Sequence, residues 1–189
     1  MASIGLTNIW FGMLTEAQDG TPSYANGQKL GKAVSANASI TNNSAMLYGD
    51  DALAESDTSF ASGTITLGVT DDDDTVFAPL LGHTLSEGGE VKKASTDTAP
   101  YVGLGRIITK MVNGVYKYKV NFLYKVKFSE PNAENNTKGE TVEFSTPEIE
   151  GIFSALSDDA GTWGVSKTFE SKAEALTYLK GLLGITEGV

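Results

Sequence analysis

Cysteine is absent from this 189-residue chain, histidine occurs once, at His83, and cations are scarce, with 14 Lys and Arg against 24 Asp and Glu. Each shortage removes a class of function. Without cysteine there is no disulfide framework, no thiolate zinc site and no cysteine nucleophile. With a single histidine, most zinc sites and any serine–histidine relay are nearly excluded. A net charge of −10 and a pI near 4.5 work against binding a nucleic-acid backbone, where affinity comes from cations neutralising phosphates. Long apolar runs are missing as well. No stretch approaches the roughly 20 residues that a membrane-spanning helix needs. The opening MASIGLTNIWFGML lacks the basic and apolar regions of a secretory signal. The chain reads as a soluble protein made and used without export, and its 40% hydrophobic residues suit one packed domain over residues 1–189.

What is present is β patterning. In VYKYKVNFLYKVKF, Val115 to Phe128, every even position is apolar or aromatic, and odd positions include Lys117, Lys119, Lys125 and Lys127. Alternation with period 2 over these 14 residues predicts one strand of about 45 Å with four lysines on one face. Its expected partner spans residues 141–153 beyond a polar connection, with a bulge or edge position at Pro147, which cannot donate to a ladder. Further strands are expected at residues 6–14, 28–34, 36–40, 63–70 and 101–111. Residues 41–59, polar and small, read as a long loop. Only residues 171–184 read clearly as helix: Ser171 and Glu174 form a capping box, and Leu176, Leu179, Leu182 and Leu183 a stripe closed by Gly184. The predicted fold is mainly β, two packed antiparallel sheets as a β-sandwich or open barrel, with a flanking C-terminal helix and a short middle helix.

The most chemistry-like stretch is Asp71 to Asp74 followed by His83. A hard-cation loop wants oxygen ligands at alternating positions and a turning glycine, which four adjacent aspartates do not supply. The run reads instead as the end of a strand and the acidic start of a helix, where carboxylates accept from free backbone N–H groups. Pro79 keeps that helix short or late. His83 then follows Gly82 near the last helix carbonyls and is not a ligand. For the lysines, a basic stripe that binds nucleic acid competes with cross-strand pairing to Glu143, Glu148 or Glu150, or with acids of a neighbouring subunit, and the net charge favours pairing. No phosphate loop, dinucleotide fingerprint or activated hydroxyl is recognisable, so no catalytic, cofactor or metal residue is assigned and an enzyme is not expected.

A series of stretches carries a family resemblance: IGLTNIW from Ile4, LYGDDALAE from Leu47, LLGHT from Leu80, APYVGLG from Ala99, LYKVKFSEP from Leu123, TKGETVEFSTPEIEG from Thr137 and WGV from Trp163. In this order the chain resembles the major tail proteins, or tail tube proteins, of long-tailed, non-contractile phages of Gram-positive bacteria. It departs from them before LLGHT, where DDDD and TVFAP replace an acid–Leu–Pro opening, and no immunoglobulin-like domain is expected after the terminal helix. The resemblance implies a structural virion protein without a cofactor that forms hexameric rings, stacked into the tail tube that conducts the genome. Implied partners are further copies of itself and the tail terminator, tape measure and distal tail proteins. DNA would pass through the lumen without specific binding, no membrane is involved, and assembly takes place in the host cytoplasm.

Carried onto this chain, Leu47, Tyr48, Asp50, Asp51 and Glu55 would lie in a long loop touching the next subunit or ring. Ser129, Glu130, Lys138 and Glu140 would lie at a hairpin tip near a ring interface. Lys117, Lys119, Lys125, Lys127 and Glu143 are the expected strand-face salt bridges. Two other functions compete: a surface-binding module, adhesin or carbohydrate-binding, using Trp10, Trp163 or the tyrosines, and the tube protein of a phage-tail-like bacteriocin.

Overall fold

The computed structural model describes residues 2–49, 52–70, 73–132 and 146–185. The elements run β1 (Ala2–Glu16), β2 (Pro22–Gly31), β3 (Ala33–Gly49), β4 (Ala52–Val69), α1 (Asp74–Leu81), β5 (Thr84–Leu85), β6 (Val91–Lys92), β7 (Tyr101–Val112), β8 (Val115–Phe128), β9 (Glu148–Ser154), β10 (Gly164–Phe169) and α2 (Lys172–Leu182). Among these residues the protein is mainly β with antiparallel pairing throughout and two helices, the fold class expected. One large sheet has the order β2-β1-β7-β8-β9-β4-β3, with β10 also pairing β8, and β5 and β6 form a small separate ribbon.

This sheet rolls up. Ile9 and Phe11 of β1 and Leu30 of β2 share one core with Ile65 and Leu67 of β4 and Ile149 and Phe153 of β9, residues from opposite ends of the strand order. Arg106 of β7 reaches across the inside to the Ala36 carbonyl of β3 at 3.5 Å. α1 closes this inner core with Phe77, Leu80 and Leu81. A second core lies on the outer face, where α2 lays Ala175, Leu179 and Leu183 on Ile107, Val120 and Phe122. The helix sits close because β7 offers it a glycine: a Cβ on Gly105 would overlap the Leu179 side chain. Each buried side chain of this size contributes roughly 1.5–3 kcal/mol on leaving water.

Local chemistry explains the ends of the elements. The Asn113–Gly114 pair joins β7 to β8 with both residues left-handed, at φ 51 and 79, as a two-residue hairpin turn requires. β7 is therefore the tight-turn partner of β8 along one edge, and the expected partner pairs along the other edge through residues 151–153. β9 lies on the other side of β8, pairing Lys125 with Ser154 and Phe128 with Gly151, while residues 141–145 lie outside those described. The expected strand over residues 28–34 is likewise two strands, broken at Lys32 after Gly31, whose φ of 131 turns the chain. The acidic run behaves as expected where it is described: Asp73 caps α1 by accepting from the Thr75 amide at 2.9 Å, Asp74 stands in the first turn, and left-handed Gly82 ends the helix. Asp71 and Asp72 lie outside the described residues. α2 matches its prediction, with Ser171 as N-cap and Leu183 and Gly184 at its end.

Two expectations are overturned. Residues 41–59 are no loop: β3 and β4 pair through this stretch, from Thr41 opposite Ser62 to Gly49 opposite Ala52. Alternation marks burial on one face, and a strand wetted on both faces need not alternate. The four lysines of β8 also do not share a face. Val126 pairs with Val102, but Leu123 pairs with Leu104, so β8 carries one extra residue between them. One extra residue swaps the faces. Val120 and Phe122 point to the α2 side, whereas Leu123, Val126 and Phe128 point inward. Lys117 and Lys119 therefore follow the inner parity, and Lys125 and Lys127 the outer.

Candidate functional site

Two features stand apart from ordinary core packing: a projecting two-stranded ribbon and a charged cluster around His83. The ribbon begins where β9 stops. Among the described residues, β9 pairs with β4 from Gly63 to Gly68 alone, and β3 is the last strand of the sheet. Beyond Gly63, β3 and β4 run on together to Gly49 opposite Ala52, roughly 30 Å from the strand rise per residue. Residues 37–46 and 56–59 are exposed without interruption, Ile40 and Met46 among them. At the root, a bulge shifts the register between Thr41 opposite Ser62 and Asn42 opposite Phe60. There the Phe60 ring stacks on Trp163 at 4.9 Å and on Phe153 at 6.0 Å. An isolated two-stranded hairpin is marginally stable in water, and an exposed terminal strand is a template for pairing with another chain.

The residues carried over from the tail-protein resemblance fall unevenly on this surface. Leu47 stands opposite Glu55 and Tyr48 opposite Leu53 near the far end of the ribbon, as paired strand residues and not a loop. Asp50, Asp51, Lys138, Glu140 and Glu143 lie outside the described residues. Ser129 is exposed and extends the β8–β9 ladder, its amide donating to the Glu150 carbonyl at 2.9 Å. Glu130 belongs to the His83 cluster. Both tryptophans offered as a glycan platform pack against cores: Trp163 on the inner one and Trp10 on the outer one, under the Lys180 ammonium at 5.3 Å.

Two of the lysines pair with carboxylates outside β9, and the expected partner Glu143 lies outside the described residues. Lys117 pairs with Glu170 at 2.8 Å, and Lys125 with Glu16 at 2.6 Å. Glu148 and Glu150 face β4 in register with Gly68 and Thr66. Lys125 and Lys127 lie over the Tyr101 ring at 4.9 and 5.5 Å, while Lys119 is half-buried between Ile108 and Thr168 on the neighbouring strands. Of the two lysine pairs of β8, Glu16–Lys125 is the more enclosed, with side-chain exposures of 17% and 16%. The Lys125 hydrogen bond, and next the Ser157 amide, hold the Glu16 carboxyl below its ordinary pKa.

The His83 cluster is assembled by the turn after α1. Gly82 reverses the chain and the His83 amide returns to the Ala78 carbonyl at 2.8 Å, the expected place near the helix carbonyls. Its side chain does something the sequence did not suggest. Nδ1 lies 2.8 Å from Asp97 and Nε2 2.8 Å from Glu130, on which Lys93 also closes. Asp97 accepts in addition from the Ala94 amide at 2.8 Å. These groups rim an open recess of about 490 Å³ with Leu81 and Phe128 in its wall. The two carboxylates sit on opposite ring nitrogens and do not converge on a common point, so the set is an ion-pair chain, and among the described residues no three acidic or histidine side chains form a metal cage. The hydrogen bond to Asp97, then that to Glu130, raises the His83 pKa against the opposing effect of burial. Asp97 is lowered, first by the Ala94 amide and then by His83. For Glu130 burial pulls upward, but Lys93 and His83 together hold it low.

His83 lies 14 residues from Asp97 and 47 from Glu130, and Lys125 lies 109 from Glu16. Pairs at such separations leave no periodic trace in a sequence. Among the described residues no helix is long and apolar enough to cross a membrane. No protein-family model and no curated protein matches this chain.

Proposed function

We propose that this protein is a structural, tube-forming subunit of the tail-tube type, assembling as hexameric rings that stack into the conduit of a phage tail, and that it catalyses no reaction. The observation that carries the reading is the ribbon. A long β3–β4 extension that is exposed on both faces among the described residues, Ile40 and Met46 included, gains little burial within one subunit and fits a surface held in place by another copy. The sequence resemblance supports the same reading, and so does the charge. A subunit with a net charge of −10 repeated around a ring repels DNA and favours its passage, because every cation on a lumen wall would add an attraction and a barrier to sliding. The pairing of Lys117 and Lys125 with carboxylates removes cations from that role. Tail terminator, tape measure and distal tail proteins are the partners this assignment calls for, and the virion tail its location. A tail-like bacteriocin would use the same subunit chemistry. The packed positions of Trp10 and Trp163 argue against the surface-binding alternative.

Negative-stain images of the purified protein at high concentration, alone and with tail-assembly partners, test the proposal. Hollow rings or tubes are expected. A particle that stays monomeric under all these conditions overturns it.

A further inference from the structure

His83 has a carboxylate at each ring nitrogen, both at 2.8 Å. A neutral imidazole has one N–H and one bare lone pair, so it can donate to only one carboxylate; two such bonds at once require the imidazolium. We propose that His83 is a proton-operated clip: as the imidazolium it ties together the end of α1, the segment carrying Asp97 and the chain leaving β8, and on losing its proton it releases Glu130. The side that opens follows from the other bonds. Asp97 is anchored in its own segment by the Ala94 amide. Glu130 is 46% exposed and has Lys93 as a second partner. A neutral ring keeps Nδ1–H on Asp97 and turns the Nε2 lone pair toward the Glu130 carboxylate, two acceptors in contact.

The charged groups that face the ring are Asp97 from the segment after β6 and Glu130 from the end of β8, with Lys93 beyond Glu130 and Asp74 of α1 acting on Lys93. Closed, the charges of His83, Lys93, Asp97 and Glu130 cancel. Open, one negative charge is left over at the recess. Because the His83 pKa is raised in the folded protein, the clip contributes fully below the ordinary histidine value of about 6.5 and is lost as pH rises through the folded value. The lowered carboxylates keep it closed as pH falls, until they are themselves protonated.

The chain has one histidine, so ring NMR signals report His83 alone. In the full-length protein, ¹⁵N-detected titration is expected to show both ring nitrogens protonated at pH 6 and a midpoint above 6.5, with the Ser129 and Glu130 amides shifting at the same midpoint. Glu130→Gln, which keeps the shape and removes the charge, is expected to lower that midpoint by about one pH unit. His83→Gln, with folding checked by circular dichroism, is expected to abolish the coupled amide shift. A wild-type midpoint at or below 6.5, a midpoint unmoved by Glu130→Gln, or a Glu130 shift that survives in His83→Gln overturns the proposal. The Glu130→Gln titration decides even if His83→Gln fails to fold. None of these readings depends on tube assembly.

Discussion

β4 passes through two environments within its 18 residues. Toward Val69 it lies between β3 and β9, and Ile65, Leu67 and Val69 are fully buried. Toward its start, among the described residues, it pairs with β3 alone, and residues 56–59 are all exposed. The backbone is extended and paired in both halves, but different forces hold it. In the roll, apolar burial offsets the cost of ordering the chain. In the ribbon, ladder hydrogen bonds worth about 1 kcal/mol net each must do so nearly alone, against about 1–2 kcal/mol of backbone entropy per residue. One half is stabilised by the subunit's own core; the other gains little burial among the described residues, and the proposed tube would supply it from a neighbouring copy.

The comparison breaks if the roll proves insensitive. Phe153→Ala removes a fully buried ring that stacks with Phe60 at the ribbon root, and a loss of about 3–5 kcal/mol is expected in urea unfolding. A loss under 1 kcal/mol would mean that Phe153 is not a core residue. Gly105→Val tests the outer core by pushing a side chain into Leu179, and about 1–3 kcal/mol of overpacking is expected, without effect on ring formation if the ribbon alone makes that contact.

A smaller effect should come from Glu16. Its folded pKa is depressed, so its contribution is present above the ordinary glutamate value of 4.5 and disappears as pH falls through the folded value. Unfolding curves of wild type and Glu16→Gln should therefore differ by a constant amount at neutral pH and converge in acid. Divergence in acid would reverse the sign and refute the assignment. The smallest effect on the isolated subunit is expected at the ribbon: Ile40→Asp should change monomer stability by no more than about 0.5 kcal/mol while abolishing rings or tubes in electron micrographs. A large loss of monomer stability would place Ile40 in the subunit's own core.

The ribbon and the cluster also show where a sequence stops being readable. β8 is legible to the residue because each half of it buries one face, the first under α2 and the second inward, and the Asn113–Gly114 turn that joins it to β7 is equally present in the chain. α1 and α2 were legible from Asp73, Gly82 and Ser171, since caps act within a few residues. The ribbon looks like a loop in the sequence because ladder hydrogen bonds join backbones and need no apolar side chains. The lysines look like one face because a bulge adds one residue without changing the composition on either side of it.

Cores, caps and turns follow from near neighbours and from the sorting of apolar from polar groups, so a mainly β protein with a capped helix at each of two places is already written in the chain. Which edge of β8 meets β7, the curl that puts Ile9 beside Ile149, the extension of β3 and β4 beyond β9, and the meeting of His83 with Asp97 and Glu130 were decided only by the tertiary structure. Those contacts join residues far apart in the chain. Their energies depend on burial and charge that exist only once the sheet has closed.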